Sequence, residues 1–156
     1  MMTEADLKHL RQAIVLARRA RERGNGPFGA VLVDQHGAVL MEAENTRVTE
    51  RECTAHAEAN LLREATRRLE PEALARCTVY ASTEPCAMCA GAIFWSGVGR
   101  VVFALSNLRL YALAGDTSNQ LRMRCADVLA SGRRHVEVIG PAIEEEAQSV
   151  FDGYFV

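Results

Sequence analysis

Two short motifs, His56-Ala-Glu58 and Pro85-Cys86-Ala-Met-Cys89, constrain this chain more than any other feature. If their side chains act together, two separate segments must meet at one point, and the fold must be built around that meeting. His56, Cys86 and Cys89 are ligand types that suit zinc. Cys86 and Cys89 lie one helical turn apart, so both can reach one point. Pro85 fits the first position of a helix. A helix start favours thiolate over thiol through its dipole and free N–H groups. Three protein ligands leave a fourth place on zinc for water, whose pKa the metal brings to about 7. Glu58 is then expected to move that water's proton rather than to bind the metal. Residues two apart do not share a face of a regular helix. His56 and Glu58 can therefore face one metal only where a helix begins.

Other uses of the same residues stand beside this one. Cys53 lies three residues before His56, and a closed Cys53/His56/Cys86/Cys89 site would be structural, with no place for water. That reading makes the chain a zinc-stabilised binding module and leaves Glu58 without a role. Cys-x-x-Cys at a helix start is also a thiol–disulfide pattern, but that reading ignores His56. Five cysteines, an odd number, argue against a disulfide framework.

The chain of 156 residues suits one domain with one core, spanning 1–156. Apolar residues make up 49% and charged residues 24%, the balance of a soluble globular protein. No apolar run is long enough to span a bilayer, so no membrane is expected as a partner. The polar, acidic start lacks the layout of a signal peptide, and the expected location is the cytoplasm. The net charge of −2 argues against a dedicated nucleic-acid binder. Arg18, Arg19, Arg21 and Arg23 cluster near one helix end, as a basic patch or a solvated helix face.

The pattern predicts a first helix over Glu4–Arg23, with capping-box spacing at Thr3 and Asp6. A hairpin follows, Gly29–Val33 and Ala38–Ala43, turning at Asp34-Gln-His-Gly37. Glu44–Thr54 reads as a loop, Ala55–Leu69 as a helix and Cys77–Ser82 as a strand. A helix runs from Pro85 to about Gly97, then a strand over Arg100–Leu105. Ser106–Asn119 reads as a loop, Gln120–Ala130 as a helix and His135–Ile139 as a last strand. Pro141 opens a final helix with Ile143, Ala147, Val150, Phe151 and Tyr154 on its apolar face. One hairpin followed by strand–helix alternation predicts a three-layer α/β/α sandwich around a five-stranded mixed sheet.

The joint pattern His-x-Glu with Pro-Cys-x-x-Cys resembles the zinc-dependent deaminases of the cytidine-deaminase-like superfamily. The resemblance covers the chain from the first helix to at least Leu105. It implies His56, Cys86 and Cys89 as ligands of one catalytic Zn2+, Glu58 as proton shuttle, and a homodimer. The implied reaction replaces an exocyclic amine on a heteroaromatic ring with a carbonyl, releasing ammonia.

Within the superfamily, Asn25-Gly-Pro-Phe-Gly-Ala-Val31, Thr54-Ala-His-Ala-Glu58 and Trp95 resemble the bacterial guanine deaminases. Glu84-Pro-Cys-Ala-Met-Cys-Ala-Gly-Ala92 and Gly99-Arg-Val-Val-Phe103 are similar in the tRNA adenosine deaminases. A large aromatic at Phe28 suits a closed pocket for a free base, so guanine is favoured, with tRNA adenosine or a cytosine-type base as alternatives. Phe28 is a candidate aromatic wall, or simply a core residue. Asn45 has an amide that both donates and accepts, suited to a base edge or a turn. Ala57 offers a backbone N–H. Trp95 is a candidate for lining the pocket, Asp116 for a second acidic group or a helix cap, and Phe151, Tyr154 and Phe155 for a lid. Cys53 replaces a proline usual in the guanine branch, Ser106–Arg134 and the tail to Val156 do not reproduce that branch's ending, and Asn107-Leu-Arg-Leu-Tyr111 is unusual in both branches.

Overall fold

A computed structural model describes residues 1–155. The elements in order are α1 (Glu4–Glu22), β1 (Gly29–Val33), β2 (Val39–Glu44), α2 (Arg47–Glu50), α3 (Ala57–Arg68), α4 (Pro71–Leu74), β3 (Thr78–Thr83), α5 (Ala87–Ser96), β4 (Arg100–Leu105), α6 (Asn107–Ala114), α7 (Cys125–Ala130), β5 (Glu137–Ile139) and α8 (Glu144–Gln148), which runs into a 3-10 turn at Ser149–Phe151. The five strands form one mixed sheet in the order β2-β1-β3-β4-β5. β1 is antiparallel to both β2 and β3, whereas β3, β4 and β5 are parallel. Parallel neighbours need crossovers, and helices supply them.

The two faces of the sheet separate by residue parity, as strand geometry requires. Ala30, Leu32, Val79 and Val101 pack with α3, α5 and α7. Val31, Val33, Tyr80, Val102 and Ala104 pack with α1 and α8. This is the expected three-layer sandwich. Gly-Ala-Val-Leu-Val of β1 is buried throughout, as a strand covered on both faces must be. Gly29 is required by close approach: a Cβ there would lie 2.3 Å from the Ala13 carbonyl and 2.6 Å from Leu16 Cβ. The Thr3–Asp6 capping box forms as expected.

Three expectations after Leu105 are corrected. Ser106–Asn119 is not a loop throughout, because α6 occupies most of it. The Ser106 side chain caps α6 by accepting the Arg109 N–H at 3.2 Å. The helix expected over Gln120–Ala130 begins only at Cys125. Leu121 and Met123 stay 55% and 59% exposed, so this stretch buries neither of its large apolar side chains. The final helix begins at Glu144 rather than Pro141, which follows a cis peptide bond. The Ala142 N–H donates to the Ala104 carbonyl at 2.9 Å, holding this stretch beside β4. Among the described residues, no helix is long and apolar enough to cross a membrane.

Candidate active site

The site lies at one end of the sheet, where β2, β3 and β4 finish and β1 begins: Gly29 pairs with Glu44, and Thr83 with Leu105. Crevices outside the carboxyl ends of strands are where α/β sheets receive ligands. Two helices start there. His56 is the N-cap of α3, with φ −74° and ψ 156°, and Cys86 is the N-cap of α5, with φ −66° and ψ 172°. Both are extended rather than helical. This resolves the spacing problem of His56 and Glu58: His56 stands outside the helix while Glu58 sits in its first turn. Loop hydrogen bonds fix the approach. The His56 N–H donates to the Thr54 carbonyl at 2.8 Å. Asn60 Nδ2 donates to the Glu44 carbonyl and to Thr46 Oγ1, both at 3.0 Å.

His56 Nδ1 lies 3.6 Å from both Cys86 Sγ and Cys89 Sγ, and the ligand atoms of the three all fall within 4.8 Å of one another. Two sulfurs and one imidazole nitrogen, with no fourth protein ligand among the described residues, form a donor set that fits zinc in its catalytic arrangement. Cys53 is exposed, with its sulfur 3.9 Å from Glu52 Oε1, and is not part of the cluster. The closed four-ligand alternative therefore lacks its fourth ligand in this geometry.

The electrostatics of the cluster follow from burial and proximity. Glu58 is 6% exposed. Burial first, then the negative charge of Cys86, push its carboxyl up to about 7. The hydrogen bond from Cys89 chiefly, and that from His56, bring the Cys86 thiol down to about 4 against the effect of burial. Cys89 moves upward, through its hydrogen bond to Cys86 and through burial. The hydrogen bond to Cys86 raises His56. One thiolate, one imidazole and a buried carboxyl thus converge, an arrangement that a cation stabilises.

The other sequence candidates divide. Phe28 is half-buried, and its carbonyl accepts the Asn45 N–H at 3.0 Å. Asn45 is 4% exposed and spends Oδ1 on the Arg47 N–H at 3.0 Å. Its Nδ2 donates to no partner among the described residues. Ala57, fully buried, is the first residue of α3. These three stand at the site's end of the sheet. Trp95 does not: it is 84% exposed at the far end of α5, edge-on to Phe94. The expectation that it lines the pocket is not met within this chain. The Asp116 side chain is 89% exposed and ion-paired with Arg122. Tyr154 is 39% exposed, in an aromatic group with Phe151 and Phe155.

Sequence reasoning missed Glu84, whose only signal was its place before Pro85-Cys86. It is 8% exposed, and its two carboxylate oxygens accept the Asn107 and Cys125 N–H groups, each at 3.0 Å. These are the first N–H groups of α6 and α7, so one carboxylate organises two helix starts. Asn107 was missed as well. It is 8% exposed, its Nδ2 has no hydrogen-bond partner among the described residues, and it lines a groove of about 820 Å³ with Glu84, Tyr111 and Asp116. The arginine cluster is used internally. Arg19 and Arg23 pair with Glu44, Arg18 bonds Ser149, and Arg21 bonds the C-terminal turn.

Comparison with known proteins agrees with this geometry. Residues 3–105 match the cytidine and deoxycytidylate deaminase zinc-binding region. A probable cytosine deaminase of Schizosaccharomyces pombe is 42% identical over 99% of this chain and 94% of its own length. A tRNA-specific adenosine deaminase of Bacillus subtilis is 34% identical over 99% of this chain and 90% of its own. The solved structure of guanine deaminase from Bacillus subtilis superposes with a TM-score of 0.64 at 30% identity, covering 98% of this chain and 94% of that one. With the His56/Cys86/Cys89 cluster lying inside the matched region, the chain belongs to the zinc-dependent cytidine and deoxycytidylate deaminase family.

Proposed function

We propose that the chain hydrolyses the exocyclic amine of a free nucleobase, with cytosine the first substrate to test. The observation that carries this reading is the convergence of His56, Cys86 and Cys89 beside the buried Glu58. His56, Cys86 and Cys89 would hold zinc, which when bound would supply a Lewis acid that lowers the pKa of water toward neutrality. Glu58 takes one proton from the attacking water and gives it to a ring nitrogen, then takes the proton of the new hydroxyl and gives it to the departing amine. Water and the amine-bearing base thereby become ammonia and a ring carbonyl. Asn45 Nδ2 is an unspent donor suited to a carbonyl on the base edge, the Ala57 N–H is another, and Phe28 offers an aromatic face.

The full-length similarity to a probable cytosine deaminase favours cytosine. Guanine is the second reading, supported by the likeness to guanine deaminase of Bacillus subtilis. Of the residues that suggested guanine, Trp95 and Asp116 lie on the surface, so that support rests on the segments Asn25–Val31 and Thr54–Glu58. The tRNA reading is weaker because the arginines that suggested a patch are engaged within the chain. A homodimer belongs to this reading, and light scattering at the monomer mass would refute it.

The decisive test follows ammonia release from cytosine, guanine, adenine and tRNA. Glu58→Gln should lower turnover at least about 1,000-fold while zinc stays bound, within the range for lost proton transfer. Cys53→Ala should retain both zinc and turnover. Loss of zinc from Cys53→Ala with full activity in Glu58→Gln would overturn the catalytic reading.

A further inference from the structure

One side chain fastens the C-terminal turn to the first helix. Arg21, in the last turn of α1, donates from Nη1 to the carbonyls of Val150 at 2.9 Å and Asp152 at 2.7 Å. Its guanidinium also lies over the Tyr154 ring, 5.5 Å from the centroid. A helix end leaves its last carbonyls without partners, and here a guanidinium takes two of them. The turn so held presents an aromatic surface. Phe151 meets Phe28 edge-on at 5.6 Å, and Phe155 stacks on Phe151 at 5.6 Å with the rings 7° from parallel. The Tyr154 hydroxyl approaches Gly26, where an added Cβ would lie 3.7 Å from it and 3.0 Å from the Phe28 ring. Phe28 in turn is bonded through its carbonyl to Asn45, at the end of the sheet where the ligand cluster lies.

We propose that Arg21 is a positioning residue that latches the chain's own C-terminal turn against Phe28, so that each site is walled by its own tail. The proposal rests on the reading of Phe28 as a wall of the substrate site. The contacts of Arg21 are to the C-terminal turn and not to the ligand cluster. Its loss therefore loosens the wall and leaves the chemistry alone. Methionine keeps the length of the side chain without the donors. Lysine keeps a cation able to reach both carbonyls but not the planar stacking on Tyr154.

Steady-state kinetics on cytosine, or on guanine if the wild-type chain prefers it, give the first test. Arg21→Met should raise KM about 10-fold, the scale of a lost charge-assisted hydrogen bond, and change kcat less than about 2-fold. Arg21→Lys should recover most of that loss. In a chain ending at Ser149, which lacks the Val150 and Asp152 carbonyls and Phe151, Arg21→Met should add less than about 2-fold, because nothing is left for it to latch. An unchanged KM in Arg21→Met, or its full effect in the shortened chain, would overturn the latch.

Mixing the shortened chain with full-length Glu58→Gln tests whose tail is used. No low-KM activity should appear, and its appearance would place the tail on a partner's site. Hydrogen exchange supplies a readout that needs no turnover. The Tyr154 N–H, bonded to the Phe151 carbonyl at 2.9 Å, should exchange faster in Arg21→Met, and unchanged exchange would overturn the latch. If the wild-type chain deaminates nothing but this exchange responds, the functional reading fails and the latch stands.

Discussion

Asp6 combines at one residue two tasks that sequence rules treat separately. It accepts the Thr3 N–H at 2.9 Å to complete the cap of α1. It also receives both terminal nitrogens of Arg100 at 3.0 Å and the Tyr80 hydroxyl at 2.7 Å. The capping role was legible from Thr3-x-x-Asp6. The bonds to Arg100 were not, because 94 residues separate the partners. Burial alone would raise the Asp6 carboxyl, but the hydrogen bonds from Arg100, Tyr80 and Thr3 outweigh it and hold the group well below the usual carboxylate range. A folded-state pKa below the unfolded value gives stability that is complete above the unfolded pKa and is lost as pH falls through the folded one. Urea unfolding between pH 7 and pH 2 should therefore show wild type losing stability below about pH 4, near the ordinary aspartate value. Asp6→Asn should be weaker at pH 7 by about 2 kcal/mol, a partly buried pair broken on one side, and its stability should fall less steeply toward acid. Parallel curves for the two proteins would show that Asp6 is not the titrating group.

At the scale of elements, what could be read depended on whether the deciding contact was local. β1 and β4 have the bounds that their apolar runs predict, Gly29–Val33 and Arg100–Leu105. α6 and α7 do not, because Glu84 joins in both of their starts from the end of the neighbouring strand β3, 23 and 41 residues away in sequence. The Ser106 cap of α6 is a local signal, but Asn107-Leu-Arg-Leu-Tyr-Ala-Leu-Ala114 shows no clear division into apolar and polar faces to go with it. Glu84→Gln puts an amide donor where one of two N–H groups needs an acceptor. It should cost about 2 kcal/mol and speed amide exchange at Asn107 or Cys125. A thermal melt and exchange pattern like wild type would refute the shared anchor. Packing of α1 on β1 gives a second element-scale expectation. Gly29→Ala drives a methyl into the backbone of α1 at Ala13 and Ala17 and should destabilise the chain by about 1–3 kcal/mol in urea, the usual range for overpacking. A stability equal to wild type would mean that α1 can shift without loss.

For the molecule as a whole, the ligand cluster was the most legible part because each half is a local motif at a helix start. The wall of the site was the least legible. Trp95 and Asp116 carry suitable chemistry, but only the packing of α5 and the path after α6 reveal that both face outward. The same whole-molecule geometry predicts how metal and fold are coupled. His56 caps α3, Cys86 caps α5 and Cys89 lies in its first turn, and these two helices pack together on one face of the sheet. A cation at the cluster would cross-link the starts of both helices, and its removal would leave a thiolate, a thiol and an imidazole crowded within 4.8 Å. Binding to the folded chain alone stabilises it by about 4 kcal/mol at a thousandfold excess over Kd. At roughly 2–4 °C per kcal/mol for a chain of this size, a strong chelator should lower Tm by about 10 °C. Returning zinc should restore it, and Cys53→Ala should respond as wild type does. His56→Ala should begin at a lower Tm and respond less to chelator, since two thiols alone hold the metal more weakly. A zinc-loaded chain whose melting ignores the chelator, with metal loss verified by elemental analysis, would separate the site from the stability of the fold. The cluster would then act on substrate without holding α3 and α5 together.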